Sequence, residues 1–205
     1  MTVVAGSTTP PLPLGIPLRD GSEVLVRPIE PSDKRLLRAG FERLSEESRF
    51  RRFLSPMPDL SEATLRYLTE IDHHDHEALV AIDQETGHGV GVARYVRTGP
   101  DLAEAAVTVA DDWQGRGLGT ALLELLSACA RGRGIGHFSG LILETNDDML
   151  ALLRRLGPVT IAERGQGSVE VVAQLPPDGL GPHLRELLRM AAREHPVIAL
   201  AGAPR

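Results

Sequence analysis

Gln114-Gly115-Arg116-Gly117-Leu118-Gly119-Thr120 stands between an apolar strand-like run, Ala105 to Val109, and a helix-like run, Ala121 to Leu126. A strand feeding a glycine-rich turn that opens into a helix is a device for holding phosphate. The first amides of the helix have no intrahelical partner and point outward, and the helix dipole adds partial positive charge there. Glycines at 115, 117 and 119 lack a Cβ, so a pyrophosphate can approach the backbone closely, and Arg116 offers a charged donor. A P-loop needs a lysine directly after its last glycine, but the only lysine of the chain is Lys34. The spacing is Gly-x-Gly-x-Gly and several strand-like runs precede it, so a dinucleotide fingerprint fits poorly. A second cluster, His73-His74-Asp75-His76, brings three histidines together. Neighbouring side chains there point apart, and neither a cysteine nor a second cluster completes a tetrahedral set, so no metal is expected.

The rest of the chain must position these groups. Its 205 residues suffice for one domain with a tail. Apolar residues at 42% and charged residues at 24% describe a globular protein, with no run of membrane-spanning length. The stretch Met1 to Leu14 lacks both a basic start and a sustained apolar core, so a signal peptide is not expected. A single cysteine, Cys129, excludes an intrachain disulfide framework and fits a reducing cytoplasm. A net charge of −6 without a basic run argues against nucleic acid as the main partner, and no membrane partner is expected.

Residues 1–21, rich in proline, threonine and glycine, read as a flexible leader. Glu23 to Pro28 alternates like a first strand, and Ser32 or Asp33 can cap a helix to about Leu44. A second helix is expected from Ser61 to Leu68, then strands at Ala78–Ile82, Val90–Val96 and Ala103–Ala110. After the loop helix come a strand at His137–Leu143, a short helix at Met149–Leu156 and a closing hairpin, Val159–Glu163 with Val169–Gln174. This order is that of a mixed α/β sheet with one phosphate-holding crossover. From Gly181 to Arg193, Leu184, Leu187, Leu188 and Ala191 recur at helical spacing, which predicts an amphipathic helix within a tail, 176–205.

Gln114, Gly117 and Gly119 directly after Val107-x-Val109 form the pattern Gln-x-x-Gly-x-Gly, which resembles the acetyl-CoA loop of the GNAT superfamily of N-acetyltransferases. Three blocks are similar to one branch, the bacterial protein lysine acetyltransferases, whose GNAT domain is in some members fused to a cyclic-nucleotide-binding domain. They are Ser48 to Phe53, Asp72 to Ala81, and Ala103 to Gly119. The resemblance implies a GNAT acyl-CoA N-acyltransferase fold with splayed central strands over roughly 22–175. That start leaves no room within these residues for the nucleotide-binding domain. It also implies acetyl-CoA as co-substrate. The pantetheine arm would pair with the strand edge at Val107, Thr108 and Val109, and the pyrophosphate would lie on the amides of Gly115, Arg116, Gly117, Leu118, Gly119 and Thr120. Gln114 belongs to the same loop and Asn146 would approach from the far side, although helix capping alone explains an asparagine there.

The implied chemistry is attack of an amine on a thioester. A lysine ammonium, pKa roughly 10.4, has no free lone pair at neutral pH, so a base must take its proton. Glu104 begins the cofactor strand and matches the branch's acidic residue; alternation puts it on one face with Ala106 and Thr108. His76 is the second catalytic candidate, because histidine titrates near working pH. The tyrosine that many family members use as general acid is absent: its position falls on Leu153. The acceptor expected is a protein lysine. An aminoglycoside, polyamine or amino acid, or a non-catalytic acyl-CoA-binding module, remains an alternative, as does a homodimer for the assembly.

Overall fold

The computed structural model of the protein describes residues 10–186 other than 166, 178 and 180. The strands are β1 (Leu14–Pro17), β2 (Glu23–Pro28), β3 (His76–Asp83), β4 (Gly89–Arg97), β5 (Leu102–Val109), β6 (His137–Leu143), β7 (Val159–Gly165) and β8 (Ser168–Gln174). They form one sheet in the order β1-β2-β3-β4-β5-β6-β8-β7, antiparallel throughout except for the β5–β6 pair. The mixed α/β architecture agrees with the sequence reading.

Part of the expected leader is instead a strand; residues 1–9 lie outside the described residues. Leu14–Pro17 is paired with Glu23–Val26, and Ile16 is buried in the main core. The prolines around it masked the strand, yet an edge strand tolerates proline because one row of its backbone groups needs no partner.

The helices are α1 (Lys34–Glu42), α2 (Glu46–Phe53), α3 (Glu62–Thr69), α4 (Leu118–Gly132) and α5 (Asp147–Leu156). Ser45 and Ser61 cap α2 and α3, their hydroxyls accepting from the amides of Ser48 and Thr64 at 3.1 Å. The register places His76, Ala78 and Val80 of β3, Val92, Arg94 and Val96 of β4, and Glu104, Ala106 and Thr108 of β5 on one face. Helices α1 to α3 cover that face around Phe41, Leu44, Leu60, Leu65 and Leu68. The opposite face packs against α4, whose Leu118 and Leu122 sit directly over Gly91; a Cβ there would lie 2.8 Å from Leu122 Cδ1. Helix α4 is nearly all apolar and buried from Leu118 to Ala130, so it reads as the central crossover rather than a surface helix.

The start of the tail docks on this helix. Glu124 is fully buried and accepts from the amides of His183, at 3.3 Å, and Leu184, which itself joins the core. Leu187, Leu188 and Ala191, the rest of the expected amphipathic helix, lie outside the described residues.

Candidate active site

Strands β5 and β6 begin side by side and then part. Their parallel pairing covers Leu102 to Glu104 against His137 to Ser139 and stops there, while β6 stays paired with β8 to its end. The amide of Ala110 donates to Val90 O, so by alternation the backbone groups of Ala105, Val107 and Val109 point away from β4 and into the gap. Such an open edge accepts an extended chain as an added strand. The gap widens into a cleft of about 860 Å³ lined by Glu104 to Val109, the glycine loop, α5 and the last turn of α2. Gln114 leans across its mouth, its Nε2 donating to Val109 O at 3.2 Å.

The glycine loop forms the expected turn between strand and helix. Gly115 and Gly117 have φ of 74° and 94°, and Gly117 is the N-cap of α4. The helical ladder opens with Ala121 N–H donating to Gly117 O at 3.1 Å, which leaves the amides of Leu118, Gly119 and Thr120 ahead of it. Gly115, Gly117, Gly119 and Thr120 line the cleft. Leu118 is 1% exposed and faces the core, so only its backbone is available to a ligand. The Arg116 side chain is likewise turned away. Its guanidinium pairs with Asp20 at 2.7 Å, donates to Asp112 O at 2.6 Å and stacks on Trp113. The cations that do line the cleft near the loop are Arg19, in the β1–β2 turn, and Arg155, at the end of α5. His183 lies beside the loop, its Nε2 3.4 Å from where a Gly117 Cβ would stand; burial first, then Arg19, pulls its imidazole below the usual range. Nothing in the composition of the leader marked Arg19. Its backbone amide donates to Arg116 O, and that contact, made only by folding, brings it to the loop.

Glu104 occupies the last paired position before the splay, exposed on the cleft wall. Among the described residues its carboxylate makes no hydrogen bond or ion pair. His76 lies in the same row two strands away, with Val96 between them, but does not line the cleft. Its Nε2 is 3.2 Å from an Arg94 nitrogen and its ring tilts against Tyr67. Arginine only donates, so Nε2 accepts and the ring is neutral with its proton on Nδ1. Burial, reinforced by Arg94, lowers the His76 pKa accordingly. Folding therefore disfavours protonation of this ring. Its contribution to stability is whole above about pH 6.5 and is lost as the pH falls from there toward the folded pKa. Thermal melts of His76→Gln should show a shallower loss between pH 7.5 and 5 than the wild type; parallel curves would contradict this.

The other two histidines go to separate partners, His73 to Glu77 at 2.8 Å and His74 to Asp75 at 2.9 Å. Asn146 lines the cleft while its Oδ1 accepts from Met149 N at 3.1 Å, so it caps α5 whatever else it does. Leu153 is 2% exposed and belongs to the main core, which leaves no acid at that position. Burial pushes the Cys129 thiol up to about 11, as expected of an inert core cysteine. Arg52, within the block Ser48 to Phe53, also lines the cleft.

Residues 38–157 match the model of the acetyltransferase (GNAT) family. The chain is 34% identical over 178 residues to acetyltransferase Pat of Mycolicibacterium smegmatis, covering 86% of this chain and 53% of that protein. It thus spans about half the length of that relative. It is 36% identical over 143 residues to acetyltransferase PA5475 of Pseudomonas aeruginosa, covering 68% of this chain and 77% of the relative. The GNAT domain of S. lividans PAT superposes with a TM-score of 0.73 at 34% identity, covering 79% of this chain and 96% of the other.

Proposed function

Because the chain belongs to the acetyltransferase (GNAT) family, we propose that it moves an acetyl group from acetyl-CoA to a lysine side chain of a protein, with Glu104 as general base. The observation that carries this reading is the placement of Glu104 at the point where β5 and β6 separate, its carboxylate unpaired and on the cleft wall. In this reading the catalytic unit is 22–175, with β1 and the docked segment before residue 187 added to it. No described helix is long and apolar enough to cross a membrane.

The residues present fit acetyl-CoA: an open strand edge at Val107 and Val109 for its amide-bearing arm, and loop amides with two arginines for its phosphates. When bound it supplies the thioester. Glu104 accepts a proton from the acceptor ammonium, directly or through one water, and so frees the lone pair that attacks the carbonyl carbon; the carbon–sulfur bond breaks and the thiolate leaves. No side chain is assigned to protonate that thiolate, and water serves. His76 holds Arg94 in place and is a positioning residue in this scheme.

Arg19 takes the phosphate role that the sequence suggested for Arg116. Arg19→Ala should weaken acetyl-CoA binding about tenfold, the loss of one charge-assisted hydrogen bond, while Arg116→Ala should instead lower the melting temperature. Calorimetric titration of both variants checks this, and a larger affinity loss for Arg116→Ala would reverse the assignment.

The proposal as a whole is tested by incubating the protein with acetyl-CoA and a bacterial protein extract, then reading acetylated lysines by mass spectrometry. Selective lysine acetylation above the enzyme-free level is expected. Release of coenzyme A with polyamines or amino acids, but none with protein, would transfer the reading to a small-molecule acceptor.

A further inference from the structure

Two charges of opposite sign line the cleft without an ion pair between them. One is Glu104. The other is Arg52, in the last turn of α2, half-buried, its guanidinium 4.9 Å from the centre of the Phe53 ring. Among the described residues Arg52 makes no hydrogen bond and no ion pair. Its neighbours on α2 are committed elsewhere: Arg51 to Glu47 at 2.7 Å and Asp148 at 3.6 Å, and Arg49 to the carbonyls of Glu42 and Pro58.

The surroundings keep Arg52 from finding an internal partner. Arg94, on the same face of the sheet, is 6% exposed, spends its guanidinium on Leu68 O at 2.9 Å and on His76, and lies near enough for the two cations to repel. Desolvation first, then that repulsion, pulls Arg94 down to about 10. Desolvation also lowers Arg52, and the charge of Glu104 partly offsets this. A guanidinium that is partly desolvated, is hydrogen-bonded to no internal anion and lines a cleft can receive an external anion. Glu104 does not fill that role, since no ion pair joins them.

We propose that Arg52 binds a carboxylate carried by the acceptor close to its reacting amine, so that the amine meets Glu104 while the carboxylate meets Arg52. This rests on the acetyltransferase reading above and narrows its acceptor. The shared chemistry is a carboxylate that the acceptor can bring near its amine. Two sources supply it: an aspartate or glutamate flanking the target lysine, or the α-carboxylate of a free amino acid.

The test is steady-state acetylation of matched lysine pentapeptides bearing Asp, Asn or Arg beside the lysine, with free lysine and glutamate as a second arm. The wild type should prefer the Asp peptide over the Asn peptide by roughly ten- to a hundredfold in kcat/KM, as a charged hydrogen bond implies. In Arg52→Gln that ratio should collapse toward one. In Arg52→Glu the preference should move to the Arg peptide, a gain that misfolding cannot produce. Free amino acids outranking every peptide would keep the carboxylate site and assign its source to the α-carboxyl group. Equal rates for Asp and Asn peptides in the wild type, or a preference that survives Arg52→Gln, would overturn the Arg52 site while the acetyltransferase reading stands. No acetylation of any acceptor despite acetyl-CoA binding would overturn both.

Discussion

Glu104→Gln is expected to lower kcat/KM for the amine acceptor by about 10²–10⁴-fold at neutral pH while acetyl-CoA still binds, because general-base catalysis contributes on that order. The amide keeps the shape of the carboxylate and its place on the cleft wall but accepts no proton. The defect should shrink as the pH rises toward the lysine pKa of roughly 10.4, since solvent then supplies the free amine that Glu104 supplied at pH 7. A structural lesion would not track the acceptor's own titration in this way. Position favours a clean result: Glu104 is exposed and bonded to nothing among the described residues, so its replacement disturbs no packing. A variant with wild-type kcat/KM at pH 7 and normal cofactor affinity would sink the assignment.

The parts of this site that repeat at short range were legible in the sequence. The strand Ala103–Ala110, the glycine turn and the apolar helix after it are local signals, and Leu102–Val109, the loop and Leu118–Gly132 follow them closely. The face shared by Glu104, Ala106 and Thr108 followed from alternation alone and agrees with the register. What escaped was set by contacts between distant segments. Arg116 looked like the phosphate donor because it sits in the loop; folding brings Asp20 against it and Arg19 to the cleft instead. Short β1 was hidden among prolines that only an edge position allows. Helix α2, with its Ser45 cap, was read only as a motif. Its mean character is too polar for a core stripe, with arginines at 49, 51 and 52, and none of its residues is fully buried. The same polarity is what puts Arg52 on the cleft wall. His76 illustrates the opposite limit. Its row with Glu104 follows from strand register, but its capture depends on Arg94 of β4 and Tyr67 of α3, which lie on either side of it in sequence.

Gly117→Val should be the most damaging single change in the phosphate loop. With φ at 94°, Gly117 stands where a β-branched residue is a genuine outlier, and non-glycine residues in left-handed regions lose about 1–3 kcal/mol. The chain then has two responses. It can keep the turn and bear the strain, lowering the stability of a helix whose N-cap this is. Or it can relax to negative φ, which re-aims the amides of Leu118, Gly119 and Thr120 and takes from the phosphates the donors that the helix start provides. On the proposed reading, in which acetyl-CoA binds the native turn, the strain reappears as lost affinity, roughly 5- to 150-fold for the same 1–3 kcal/mol. Gly119→Ala is the control. A Cβ at 119 would meet Leu152 and Val109 at 3.5 and 3.6 Å, ordinary contacts, and its φ is not left-handed, so the fold should hold and any affinity loss would come from the methyl group itself. Calorimetric titration with acetyl-CoA and thermal melts of both variants separate the cases. Unchanged affinity and unchanged melting temperature in Gly117→Val would show that the left-handed turn is not what shapes the phosphate site.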